Sequence, residues 1–191
     1  MSYIPQYNQK TVTYSKQLDV AKYQGQNLFI KFYGSNKNTT VKVAGQEVGT
    51  HVGGYSAFTF DLTKYVQGKN SVALTVDVTN VDTVSIPINV DYTQFSGIYR
   101  DVELIALPNQ YISTENKGSS GIFVDYKFSG NNASVNTRVD VTNKAARAAS
   151  LVLKTTISDN AGNIVSEQSS NVQVGARTEA SEQKVNQQLA N

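Results

Sequence analysis

Carboxylates, one histidine and many hydroxyls are the groups this 191-residue sequence offers for chemistry, since it has no cysteine. Acid–base or nucleophilic work by carboxylates needs two of them facing one bond. Glu47, Glu103, Glu115 and Glu167 fall singly in turns or alternating strands and read as solvated faces. Asp77, Asp82 and Asp91 lie in or beside one irregular stretch, and such loop carboxylates suit hard cations such as calcium or sodium, although their spacing is not that of an EF-hand. His51 would need an all-carboxylate remainder to build a metal site. It reads instead as a structural hydrogen-bonding group near a glycine corner. Serines abound, but no nucleophile-elbow sequence surrounds any of them. The missing cysteines exclude a disulfide framework, a thiol nucleophile and a thiolate-held metal.

The charge balance narrows the partners. Seventeen basic and fifteen acidic residues give a net charge of +2 with no basic cluster, which argues against nucleic acid. No apolar run approaches the ~18 residues of a membrane-spanning helix. The opening MSYIPQYNQK lacks the charged head and apolar stretch of a signal peptide. The compartment stays open: cytoplasmic, or secreted or periplasmic under a signal outside this sequence. Asn38 and Asn132 begin Asn-x-Ser/Thr sequons, which matter only in a eukaryotic secretory setting.

The elements that must position these groups are strands. Val72, Leu74, Val76 and Val78 alternate through Ser71 to Thr79, the period of a half-buried strand. Leu28 to Phe32 is a second strand, with Leu28, Ile30 and Phe32 on one face and Phe29 on the other. Thr11 to Val20, Thr39 to Val43 and Val102 to Leu107 follow the same reading, and Gly34 to Asn38 reads as a loop. Between Val43 and Thr63 the glycines at 45, 49, 53 and 54 mark turns, with Gly49 breaking a short strand. Tyr55, Phe58 and Phe60 are expected in the core; Tyr92 and Phe95, in the irregular stretch, are as suited to exposure. Beyond Pro108 come strands at Gly121 to Phe128, Ser134 to Asn143, Leu151 to Ser158, Ile164 to Ser170 and Asn171 to Val174. A Gln-rich tail from Thr178 either begins one more strand or frays. No amphipathic helix stands out. Short strands separated by Asn/Gly turns predict an all-β chain.

Two longer blocks carry a family resemblance. Val48-Gly49-Thr50-His51-Val52-Gly53-Gly54-Tyr55 with Phe58-Thr59-Phe60-Asp61-Leu62-Thr63 resembles the sugar-binding domain of family 2 glycoside hydrolases, a family of β-galactosidases, β-glucuronidases and β-mannosidases. Phe95-Ser96-Gly97-Ile98-Tyr99-Arg100-Asp101-Val102 resembles the same family near the end of that domain, and Phe32-Tyr33-Gly34 and Gly68-Lys69-Asn70 fall in matching order.

The resemblance implies a jelly-roll (galactose-binding-like) β-sandwich over residues 1–109. It also implies an immunoglobulin-like β-sandwich over 110–191, truncated at its C-terminus. The catalytic (β/α)₈ barrel, which holds both catalytic glutamates of a retaining enzyme, is absent. The chain is then a non-catalytic N-terminal portion of a bacterial β-galactosidase or related glycosidase, its partners a β-galactoside or related glycoside and the barrel of its own parent. Carried over residue by residue, the substrate-binding positions are Asn36, Asp91 and, after it, the aromatic Tyr92. Asp91 would also touch a sodium ion; no cofactor is implied for the fragment, and sodium or magnesium for the full enzyme. Arg100-Asp101 is read as a buried structural pair. The alternative is a free-standing carbohydrate-binding module or part of a surface adhesin.

Overall fold

A computed structural model describes residues 11–80 and 96–189 of the chain. The chain divides into two compact units, Met1–Leu107 and Pro108–Asn191. Both are β-structure: a jelly-roll sandwich first, an immunoglobulin-like sandwich second.

In the first unit the strands are β1 (Thr11–Asp19), β2 (Asn27–Phe32), β3 (Ser35–Asn36), β4 (Asn38–Val43), β5 (Gln46–Val52), β6 (Phe58–Asp61), β7 (Ser71–Thr79), β8 (Gly97–Ile98) and β9 (Val102–Leu107). One antiparallel sheet runs β1-β7-β4-β5, a second runs β6-β2-β9, and β3 pairs with β8 as a two-stranded ribbon. The valine row of β7 is buried, as its alternation predicts, and packs with Val41 and Val43 of β4 against Leu28, Ile30 and Phe32 of β2. Phe58 closes the same core. Phe29, on the opposite face of β2, is also fully buried. The outward face of β7 carries Asp77, which accepts from Thr13 Oγ1 at 2.7 Å and pairs with Lys42 Nζ at 2.8 Å.

Several local expectations give way to the fold. Gly34 to Asn38 is not simply a loop, because Ser35–Asn36 forms β3. Gly49 does not break a strand: β5 runs through it, and a bulge beside it shifts the register between Val41 and Lys42. The physical reason is packing. A Cβ on Gly49 would stand 2.6 Å from Phe60 Cε1, so the missing side chain is the space that ring occupies. The hairpin turn between β4 and β5 does fall at Ala44-Gly45, where φ is +50° and +79°, as a type I′ turn requires. Tyr55 is not core; it is 58% exposed. A one-turn helix, α1 (Thr63–Val66), and a 3₁₀ turn at Ala21–Tyr23 supply the helical residues, too short for any periodicity to reveal.

The second unit is built on β12 (Asn132–Asn143). β10 (Gln110–Ile112) and β11 (Ile122–Ser129) pair with it, and β15 (Thr178–Leu189) pairs with the same strand. β13 (Ala149–Ser158) and β14 (Ile164–Val174) form the facing hairpin. The Gln-rich tail is thus a twelve-residue strand, and 164–174 is one strand rather than two. Its tail is polar because one face is solvent; Val185 and Gln187 point inward and are buried. Gln187 Nε2 donates to Thr155 O at 3.4 Å and Ser166 Oγ at 2.9 Å, tying the two sheets together. The apolar core proper is small: Val139, Val141, Val172 and Val174, with Leu151 and Leu153 packed against it. Asn143, fully buried, supplements it. Its Nδ2 donates to the carbonyls of Arg147 (2.8 Å), Val174 (3.3 Å) and Gly175 (2.9 Å), and its Oδ1 accepts from Gln110 Nε2 and the Ala145 N–H.

One face of this unit is bare. Ile122, Val124, Tyr126 and Phe128 alternate along β11 as core residues do, yet they are 43%, 56%, 65% and 75% exposed. They line a groove of ≈ 580 Å³ with Val135, Leu153 and Ile157. β14 packs on β15 and β12, and Leu153 to Ile157 of β13 form the other side of the groove, which leaves the β11 row largely exposed.

Substituting Gly49→Ala is expected to destabilise the first unit by about 1–3 kcal/mol through overpacking against Phe60. Urea unfolding of the chain and its variant checks this; an unchanged midpoint would show that the ring yields at no cost.

Candidate functional site

The ribbon of β3 and β8 is where the first unit brings distant segments together. Ser35 lies opposite Ile98 and Asn36 opposite Gly97. Asn36 is 2% exposed, and the peptide bond to Lys37, itself 1% exposed, is cis. Ser35 Oγ and Thr39 Oγ1 share a 2.7 Å hydrogen bond beneath. Gly97 holds φ at +93° and faces Tyr14, whose hydroxyl accepts from the Ile98 N–H at 3.3 Å. A Cβ on Gly97 would meet that hydroxyl at 2.5 Å, so both backbone and space demand glycine here. Asp91 and Tyr92, six and five residues before Gly97 in the sequence, lie outside the described residues, as do Asp82 and Phe95. Of the anticipated site, the structure therefore places Asn36: on the ribbon, buried, and opposite the strand that the Asp91 segment leads into.

Beside the ribbon stands a second arrangement that the sequence reading had wrong. Arg100 and Asp101 are exposed and do not form a buried pair. Arg100 Nη1 donates to Tyr33 O at 3.3 Å and Tyr55 O at 3.4 Å, and its guanidinium lies 5.3 Å from the Tyr99 ring centroid. The Tyr99 hydroxyl donates to Gly54 O. Gly34 makes room, since a Cβ there would stand 2.9 Å from both the Tyr99 ring and Arg100 Cδ. Three segments, 33–34, 54–55 and 99–100, are fastened together by one arginine and one tyrosine. The available signal was the arginine itself: five donors in a rigid fork suit free carbonyls as well as they suit a carboxylate.

His51 also departs from expectation. Its ring stacks on Phe58 at 4.0 Å and 13°, and Phe58 stacks in turn on Phe32 at 4.8 Å. Its Nε2 is buried without a hydrogen-bond partner among the described residues. Burial pushes the imidazole below its ordinary pKa, because the charged form loses water and gains nothing in return. Asp77, anticipated near a cation loop, is instead held below the usual carboxylate range by its hydrogen bonds to Lys42 and Thr13. Among the described residues no three His, Asp or Glu side chains gather as a cation site.

The sign of the His51 effect follows from linkage. The unfolded chain protonates near pH 6.5 and the folded one lower, so stability is complete above about pH 6.5 and falls as pH drops below it. Thermal melts between pH 7.5 and 5 are expected to show this fall, and His51→Phe, which keeps the stack, is expected to reduce it. An identical slope in both proteins would exclude His51 as the source.

Comparison with known proteins fits this geometry. The model of the sugar-binding domain of family 2 glycosyl hydrolases matches residues 1–108. A β-glucuronidase of Bacteroides fragilis is 32% identical over 143 residues, 73% of this chain and 21% of that protein. A β-galactosidase of Thermoanaerobacter pseudethanolicus is 38% identical over 95 residues, 48% of this chain and 13% of that protein. The crystal structure of a Bacteroides uniformis β-glucuronidase superposes with a TM-score of 0.90 at 31% identity, covering 97% of this chain and 22% of that one. The chain thus spans about a fifth or less of the length of these relatives. With the family model covering more than half of it and the fold shared throughout, the chain belongs to glycoside hydrolase family 2 and carries that family's N-terminal sugar-binding domain.

Proposed function

We propose that this chain is the non-catalytic N-terminal portion of a retaining β-glycosidase, shaping one side of the substrate pocket and bearing against a catalytic barrel of the same parent. The observation that carries the reading is the β3–β8 ribbon, which sets Asn36 opposite the entry to the segment holding Asp91 and Tyr92. An amide and a carboxylate offer complementary hydrogen bonds to sugar hydroxyls, and a tyrosine ring can cover the apolar face of a pyranose. The carboxylate of Asp91 would also suit a sodium or magnesium ion in the full enzyme, as a hard oxygen ligand. The substrate is a β-galactoside or β-glucuronide; relatives named for both activities support the class rather than one member of it. The chain alone is not expected to hydrolyse nitrophenyl glycosides, because the family resemblance assigns both catalytic glutamates to a barrel and this chain matches only 22% of the length of the β-glucuronidase structure.

In the full-length enzyme, Asn36→Ala and Asp91→Ala are each expected to lower kcat/KM roughly 10- to 100-fold, the loss of one or two polar contacts to substrate worth about 1–3 kcal/mol. Steady-state kinetics on nitrophenyl β-galactoside and β-glucuronide test this, with melts as a control because Asn36 is buried. Wild-type kinetics from stable variants would reduce these residues to scaffold.

The second unit belongs to the same reading, as a sandwich whose exposed β11 face a further segment of the parent covers. Further strands at the free edge of β13 would lie over Ile122, Val124, Tyr126 and Phe128, burying side chains whose alternation marks them as core. The dye ANS is expected to bind the 191-residue chain and to bind several-fold less to a longer one. Equal binding by both would mean that something else covers β11.

A further inference from the structure

An exposed aromatic ring beside an anchored cation that has no ion pair among the described residues makes a recognisable kind of surface, and the first unit has one in Tyr99 and Arg100, with the Tyr55 carbonyl joined to the same guanidinium. We infer that Tyr55, Tyr99 and Arg100 form a binding platform for a uronic-acid saccharide, the guanidinium taking the carboxylate and the tyrosine rings taking the apolar face of the sugar. The inference rests on the reading of this unit as saccharide-facing.

Four observations carry it. Tyr55 and Tyr99 are 58% and 39% exposed, although rings of this size usually leave water when the fold allows. Arg100 is exposed and forms no ion pair among the described residues, while Lys42, Arg138, Lys144, Lys154 and Lys184 each reach a carboxylate. Glu103, three residues along the chain, is engaged by the Tyr33 hydroxyl at 2.8 Å. The platform is also held before any ligand arrives: Nη1 is fixed by two carbonyls, and Tyr99 is fixed through Gly54. Among the described residues Nε and Nη2 make no hydrogen bond, so their N–H groups are left to donate two parallel hydrogen bonds to a carboxylate. Preorganisation matters for so small a ligand, since every group ordered on binding subtracts from affinity.

The test uses the 191-residue chain in solution, titrated with methyl β-glucuronide, its uncharged twin methyl β-glucoside, and glucose 6-sulfate. Chemical-shift changes at the Tyr55, Tyr99 and Arg100 signals report the site. The glucuronide is expected to bind at least about fivefold tighter than the glucoside. Tyr55→Ala, which removes an exposed ring and leaves the core intact, is expected to weaken the glucuronide by a similar factor. Arg100→Lys, with its fold checked by circular dichroism, is expected to remove the preference for the charged sugar. Equal affinity for glucoside and glucuronide, or shifts that avoid these three residues, or none at tens of millimolar ligand, would overturn the platform. Binding of the sulfate as tight as the glucuronide would overturn the carboxylate assignment. The Asn36 and Asp91 kinetics are a separate measurement, so failure here and failure of the pocket reading are told apart.

Discussion

A ring can press close to a backbone only where a side chain is missing, and the first unit depends on this twice. Gly49 admits the Phe60 ring, which lets β5 and β6 approach and seals the edge of the sandwich. Gly34 admits Tyr99 and the stem of Arg100, which fastens three loops at the end of the same sandwich. At either glycine an added Cβ would press on the ring, at 2.6 Å for Phe60 and 2.9 Å for Tyr99, so one of the two must move. The β3–β8 ribbon is a downstream result. With residues 33–34 and 99–100 drawn together, Ser35–Asn36 and Gly97–Ile98 are brought within pairing distance across some sixty residues of sequence.

The two units solve the problem of cohesion differently. The first relies on a continuous apolar core contributed by both sheets. The second has four buried valines at its centre and leans on amides: Asn143 serves five hydrogen bonds at one end, and Gln187 bridges the sheets further along. Buried amides are costly when unpaired and strongly directional when paired, so Asn143, paired at both its Nδ2 and its Oδ1, fixes the carbonyls around it in a way a valine could not. That division fits the functional reading, in which the first unit presents side chains to a ligand, while the second carries an exposed apolar face.

Most of the strand order was legible from alternation. Ser71–Thr79 and Val102–Leu107 match the structure residue for residue, because a half-buried strand writes its period directly into the sequence. What failed had a physical reason in each case. Gly49 carries the residue type of a turn but serves a ring from another strand, a non-local demand invisible to local pattern. The Gln-rich tail hides β15 because one of its faces is wet and the other buries a glutamine. Tyr55 has the chemistry of core and the position of surface. Asn36 was found through family resemblance, and no spacing or composition would have singled it out from the asparagines around it. Its burial, and that of Lys37 beside it, could not be read from a stretch of polar residues.

The stack of His51 on Phe58 reaches beyond stability. Protons on the face of an aromatic ring are shielded by its circulating electrons, and His51 is the only histidine in the chain. Its imidazole protons should therefore give one isolated pair of magnetic resonance lines, moved upfield while β5 and β6 remain closed on each other. The molecule carries its own spectroscopic gauge, readable without labels, at the corner of the sandwich that leads into the Gly53-Gly54 loop.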